Sequence, residues 1–129
     1  MADDLDRALE VLGPLEARTM RAVWTGQVRE PFTVRDVLAL LPELAYTTVL
    51  TTMRRLADKG VLVADAAVGR KAHEYRAAGC PADFLAAEST RQAAAAVQRY
   101  GDAALAAFAA LLDALEPEQR AKLERLRSR

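Results

Sequence analysis

Apolar side chains recur every three or four residues through most of this chain, the spacing that places them on one face of a helix. The clearest example is the stretch 44–59, which Gly60 follows. Its predicted buried stripe consists of Val49, Thr52, Met53 and Leu56. The pattern therefore predicts a helix with one apolar face over this stretch.

Two further helices are predicted before it, over 15–24 and over 34–41. Thr33 is the expected N-cap of the second, and Asp36 supplies an acid to its first turn. Because Pro42 ends this helix just before the next one begins, the pair predicts a helix-turn-helix. The residues before Gly13-Pro14 predict only a loose or short helical lead-in.

The hydrophobic period changes after Gly60. Val61-Leu62-Val63 is apolar and β-branched, and the segment 72–76 alternates in type. Between them a glycine precedes Arg70 and Lys71. This pattern predicts a β-hairpin with a basic tip, so residues 1–79 are predicted to form a winged helix-turn-helix domain.

Residues 80–129 show only helical periodicity, with helices expected over about 82–100 and 103–115 and a final turn or helix after Pro117. Such helices cannot bury their apolar stripes against a small domain, so we expect a helical dimerisation region. A tail folded back on its own domain is the alternative. The larger apolar candidates for the dimer contact are Phe84, Val97, Tyr100, Leu105, Phe108, Leu112 and Leu115. The expected fold class is thus mainly α with a small β-hairpin wing.

The side of 44–59 opposite its apolar stripe has an unusual composition for a solvated helix face. It carries Tyr46, Thr47, Leu50, Thr51 and Arg54, without the usual Glu and Lys. Hydroxyls and arginine suit base edges and phosphates, and apolar carbons suit thymine methyls. An ordinary half-buried helix has a similar pattern. The preceding helix and the basic hairpin tip favour a helix that reads the DNA major groove.

The 129 residues carry 18 basic and 18 acidic side chains, so the formal net charge is zero. The segment 44–76 holds six basic and three acidic residues, which is a local basic excess. No apolar run reaches the length of a membrane span, and the acidic start is unlike a signal peptide, so we expect a cytoplasmic protein. A single cysteine, Cys80, and a single histidine, His73, predict no disulfide, metal or cofactor.

Four segments in order resemble the BlaI/MecI-type penicillinase-repressor family of winged-helix regulators. They are Leu15-Glu16 with Val23-Trp24, then 33–37, then 46–60, and finally Gly69-Arg70 with His73-Glu74-Tyr75. The third is close to the family's pattern TV-x-T-x-x-x-R-L-x-x-K-G. Together they cover roughly 12–77, and the helical tail agrees in length and type.

The resemblance implies a homodimeric repressor of the beta-lactamase-repressor type that binds a palindromic DNA operator and blocks transcription. Matching positions place Tyr46, Thr47, Thr48, Thr51 and Arg55 at the DNA. They place Arg70 and Lys71 on the wing. Periodicity alone leaves Arg55 at the edge of the buried stripe, so its expected phosphate contact comes from the resemblance.

Two features of the family do not carry over. Well-known members are inactivated by a sensor protease that cuts an Asn-Phe bond in the C-terminal helices, but this chain contains no asparagine and Ala107 precedes Phe108. Release by a regulatory protease would require another bond. A copper-responsive branch carries a Cys-x-Cys pair, which a chain with Cys80 alone lacks.

Two other classes of function are compatible with a winged helix. A protein-interaction module that binds no specific DNA agrees with zero net charge, and a flat salt response would distinguish it from a DNA-binding protein. An enzyme is disfavoured because the sequence has no nucleophile motif, no phosphate-binding glycine loop and one histidine.

Overall fold

The structure is a computed structural model that describes residues 3–66 and 73–128. Within this part of the chain the helices and strands are α1 Asp4–Val11, α2 Pro14–Trp24, α3 Val34–Leu40, α4 Tyr46–Asp58, β1 Leu62–Ala66, β2 His73–Ala77, α5 Pro81–Tyr100, α6 Asp102–Asp113 and α7 Pro117–Arg127. The strands pair as one antiparallel hairpin. The predicted fold class, mainly helical with a small hairpin after the helix-turn-helix, is confirmed.

The predicted loose or short helical lead-in is a short helix, α1, and it packs into the core, which the sequence did not predict. Asp3 caps it by accepting a hydrogen bond from the backbone N–H of Asp6 at 2.8 Å. Ala8, Leu9 and Leu12 are buried, and α1 packs against α2. A helix this short is not stable through its own hydrogen bonds, so burial of these side chains stabilises it.

The helix α3 begins as predicted. The Thr33 hydroxyl accepts the Asp36 backbone N–H at 3.3 Å, and the Asp36 carboxylate accepts the Thr33 backbone N–H at 2.9 Å. This reciprocal cap fixes where the chain enters α3, and therefore where α4 starts after the turn. The predicted N-cap is confirmed.

The predicted stripe of α4 is buried, and it lies at the centre of the core with residues from α2, α3 and β1. Thr52 is the polar member of the stripe, and its hydroxyl donates to the Thr48 carbonyl at 2.8 Å. Because that bond satisfies the hydroxyl within the helix, Thr52 can be buried at little cost. The fully buried large side chains of this core include Met20, Phe32, Val37, Val49, Met53, Leu56 and Leu62.

The hairpin is joined to the chain before α3 by a bridge that the sequence did not predict. Phe32 exchanges two backbone hydrogen bonds with Tyr75, at 3.0 and 2.7 Å. Their rings stack with centroids 6.4 Å apart. The hydrophobic pattern before α3 predicts only a connection, because a bridge of one residue pair is too short to produce a periodic pattern. It holds β2 beside α3 and α4.

The chain divides into two compact units, Met1–Ala87 and Glu88–Arg129. In the first, the Trp24 indole N–H donates to the Gly79 carbonyl at 2.9 Å, and the Trp24 and Phe84 ring centroids lie 6.0 Å apart. The second contains the end of α5 with α6 and α7, which confirms the helical tail. No helix of the described residues is long and apolar enough to cross a membrane.

Candidate nucleic-acid interface

The N-terminal end of α4 is suited to an anion. Ala45 precedes the helix and provides no side-chain cap, and the first turn contains no acid. The partial positive charge of a helix start is therefore left uncompensated by any side chain that the structure describes there. Tyr46 and Thr47, the first residues of the helix, are exposed at this end.

The outward side of α4 collects the residues that the sequence predicted for DNA contact. Thr47, Thr51, Arg54 and Arg55 are exposed, and Tyr46 is 41% exposed. The other two are partly buried: Leu50 packs against the core cluster, and Thr48 is half-covered. Hydroxyls, a phenol and two guanidiniums thus point away from the core along one helix, a set able to hydrogen-bond base edges and phosphates.

A concave surface of about 220 Å³ opens beside α4, between α3 and β2. We call it the wing-side groove, and it is lined by Thr33, Val34, Arg35, Tyr46, Leu50, Arg54, His73 and Tyr75. The Arg35 guanidinium lies over the Tyr46 ring, 5.3 Å from its centroid. The described residues of the lining therefore contribute two guanidiniums, two phenols and an imidazole, and none of them carries a carboxylate.

Tyr75 forms the floor of this groove and is 3% exposed. Burial raises the pKa of its phenol, and the nearby positive charge of Arg54 opposes part of that shift. The phenol is protonated at neutral pH, as that of an ordinary tyrosine is, so its hydroxyl can donate a hydrogen bond, and the shift extends this state to more alkaline pH. The His73 ring tilts against Tyr75 with centroids 6.4 Å apart.

A second concave surface lies at the far end of α4, beside the start of α2. Its lining includes Gly13, Glu16, Arg55 and Lys59. One carboxylate oxygen of Glu16 accepts the Gly13 backbone N–H at 3.2 Å and lies 2.9 Å from the Lys59 ammonium. The other oxygen, Oε2, is buried without a hydrogen-bond partner among the described residues. The ion pair ties the end of α4 to the beginning of α2.

The sequence predicts no DNA contact for Arg35, Lys59 or His73. Arg35 lies two residues after the N-cap Thr33, which places it at the exposed end of α3. Lys59 and His73 lie within the family pattern, and a single histidine predicts no metal site. The predicted wing-tip contacts Arg70 and Lys71 lie outside the described residues. No three His, Cys, Asp or Glu side chains gather as metal ligands in the described part of the chain.

The second unit leaves large apolar side chains exposed. Tyr100 is 59% exposed, Leu105 53% and Leu112 48%. Leu111, which is not among the predicted dimer contacts, is 65% exposed. Val97, Phe108 and Leu115 are half-buried. Phe84, also predicted as a dimer contact, packs against Trp24 of its own chain.

Comparison with protein-family models matches residues 12–129 to the model described as penicillinase repressor. The match spans the helix-turn-helix, the hairpin and the helical tail, and α1 lies before it. None of the curated proteins compared with the chain matches it.

Proposed function

The chain belongs to the penicillinase repressor family of DNA-binding transcriptional regulators, which is not an enzyme family, and we propose that it represses transcription as a homodimer on a palindromic operator. The chain is accordingly a DNA-binding transcription repressor. The observation that supports the site most directly is the outward side of α4. No acidic residue occurs between Tyr46 and Arg55, so this part of α4 places no carboxylate against the phosphates.

In the proposed complex α4 enters the major groove. Base edges or nearby phosphates are contacted by Tyr46, Thr47, Leu50 and Thr51, and Thr48 lies beside them at the start of the helix. Arg55 contacts the sugar–phosphate backbone of the DNA. Arg70 and Lys71 provide the phosphate contacts of the wing, and for these two the support is the sequence and the family membership.

The proposed dimer forms through the helices after residue 80. Its support is the row of exposed Tyr100, Leu105, Leu111 and Leu112, because large apolar patches on a protein surface mark interaction sites. A two-fold dimer would present two copies of α4 to half-sites about one helical turn, roughly 34 Å, apart. This geometry is what predicts a palindromic operator.

The DNA-reading role is tested with a duplex selected from random sequences by the full chain. Arg55→Ala should weaken binding of every duplex by about 1–3 kcal/mol, whereas Thr47→Ala should change which bases are preferred. Fluorescence anisotropy on the selected duplex and on single-base variants measures both. The control is Arg7→Ala, at an exposed arginine of α1. Unchanged affinity and preference in both variants would refute the assignment of α4.

The dimer is tested by light scattering on the full chain. Leu112→Glu places a charge within the exposed apolar row, so it should give a monomer that binds the selected operator more weakly. Gln98→Glu, at an exposed polar position of α5, adds the same charge without removing an apolar group and should remain a dimer. A parent protein that scatters as a monomer at micromolar concentration would exclude the proposed assembly.

A further inference from the structure

We infer that the wing-side groove is a second site for the DNA backbone, in which Arg35 and Arg54 hold one phosphate group beside the major groove. The inference rests on the proposed binding of α4 to DNA. It assigns a role to Arg35, and it assigns Arg54, which the sequence predicts on the DNA-facing side of α4, to a contact with phosphate.

The charge of the groove is the first support. Arg18, Lys59 and Arg76 of the same unit each lie beside a carboxylate, from Glu43, Glu16 and Asp65 respectively. Arg35 and Arg54 form no ion pair with any described residue. A chain of zero net charge thus leaves two guanidiniums uncompensated in one concave surface, and an anion is the ligand that such a surface attracts.

The fixed position of the donors is the second support. The Tyr46 ring under Arg35 restricts that side chain, since a guanidinium over an aromatic face is held by the ring quadrupole. The buried Tyr75 provides a phenol at the base of the groove, next to the charge of Arg54. A phosphate oxygen can accept from both guanidiniums and from a hydroxyl, which is the donor set seen in phosphate recognition.

The size and place of the groove favour DNA over a free small molecule. Its volume of about 220 Å³ lies below the roughly 300–1,000 Å³ of ordinary ligand pockets. It opens beside Tyr46 and Leu50, on the side of α4 proposed to face DNA. A helix in the major groove has a sugar–phosphate strand along each flank, and this groove follows one flank of α4.

In this arrangement Arg54 and Arg55 contact opposite strands of the DNA. Consecutive residues of a helix point about 100° apart. Arg54 lines the wing-side groove, whereas Arg55 lines the concave surface with Glu16 and Lys59 on the other flank. Neighbouring arginines on one helix can therefore hold the two backbones that border one major groove.

The test measures how the affinity of the full chain for DNA depends on salt. Arg35→Gln and Arg54→Gln should each reduce the slope of log K against log salt concentration by about 1, because each removes one phosphate contact. Each should also lower affinity by about tenfold, equally on two 30-base-pair duplexes of unrelated sequence. Arg7→Gln removes the same charge from α1 and should leave slope and affinity unchanged.

Three results would overturn the inference. An unchanged slope with a loss that differs between the two duplexes would make Arg54 a reader of bases. Parent binding that neither substitution weakens would leave the groove without a role in DNA binding. Saturable binding of inorganic phosphate to the DNA-free chain below about 1 mM, lost in the double substitution, would make the groove a small-ligand pocket. Failure of the parent chain to bind any duplex would instead reject the proposed function itself, and the inference with it.

Discussion

Glu16 is a buried carboxylate with one oxygen engaged and one oxygen unpaired. Its Oε1 accepts from Gly13 and pairs with Lys59, while Oε2 is buried without a hydrogen-bond partner among the described residues. A buried oxygen without a hydrogen bond destabilises the folded state by about 1–3 kcal/mol. Glu16 also fixes the position of α4, because it joins the start of α2 to the end of the helix proposed to read DNA.

A double-mutant cycle tests that coupling. Lys59→Met should lower the free energy of unfolding by about 1–3 kcal/mol, because it leaves the Glu16 charge without its cation. In the Glu16→Gln background the same Lys59→Met change should cost much less, since no buried charge remains. Urea unfolding of the four proteins measures the interaction energy. Equal costs in the two backgrounds would show that the pair contributes nothing to stability.

The raised pKa of Tyr75 predicts a dependence of stability on alkaline pH. Because burial favours the protonated phenol in the folded state, its contribution is fully present below the usual tyrosine pKa of about 10. The contribution is lost as pH rises through the folded-state pKa. Tyr75→Phe should therefore lose less stability than the parent above pH 10, measured by urea unfolding at several pH values. Tyr100→Phe, at an exposed tyrosine, is the control and should follow the parent curve.

At the scale of the element, α4 owes its boundaries to local chemistry and its orientation to packing. Its buried stripe fixes which side faces outward, and Gly60 lets the chain leave the helix with a φ of +78°. A left-handed backbone is strained for residues that carry a Cβ atom. The position at which α4 ends therefore depends on Gly60, and that position determines where β1 begins.

Gly60→Ala should lower the free energy of unfolding by about 1 kcal/mol through the backbone alone, because a Cβ atom there would meet nothing within 4 Å. Gly60→Asn is the matched control, because asparagine adopts the left-handed conformation more readily than alanine does. It should lower stability by less than Gly60→Ala does. Guanidinium unfolding of both variants makes the comparison, and similar losses would contradict a conformational origin.

Elements whose signals lie close together in the sequence were predictable, and contacts that depend on the assembled core were not. The stripe of α4 and the cap at Thr33 follow from residues close in sequence, so the pattern contains them. The lead-in became α1, because Leu9 and Leu12 meet a core that only the fold assembles. The bridge between Phe32 and Tyr75 joins residues distant in sequence, and no local period predicts such a pair.

At the scale of the whole molecule, residues 88–129 have an apolar surface that remains exposed to water in a monomer. Complete burial of a leucine contributes about 1.5–3 kcal/mol, and each exposed leucine of α6, which is about half exposed, would gain roughly half of that on full burial. Burial against a second chain would couple folding to association. Dimer stability then depends on protein concentration, whereas monomer stability does not.

The midpoint of thermal unfolding should therefore rise with protein concentration between about 1 and 100 μM. Leu112→Glu should remove that dependence, because a charged side chain opposes burial of the leucine row. Gln98→Glu should retain it. Calorimetry at three concentrations measures the effect, and a parent midpoint independent of concentration would contradict the dimer.

The sequence by itself determined the order of the elements, the buried stripe of α4 and the family. These depend on side-chain spacing and on residue types at neighbouring positions, which the chain carries wherever it folds. Only the tertiary structure decided that Arg35, Arg54 and Tyr75 share one groove and that Glu16 pairs with Lys59. These residues lie on separate elements, and packing of the core brings them together. The electrostatic environment beside α4 is thus a property of the fold, because no single segment of the sequence contains it.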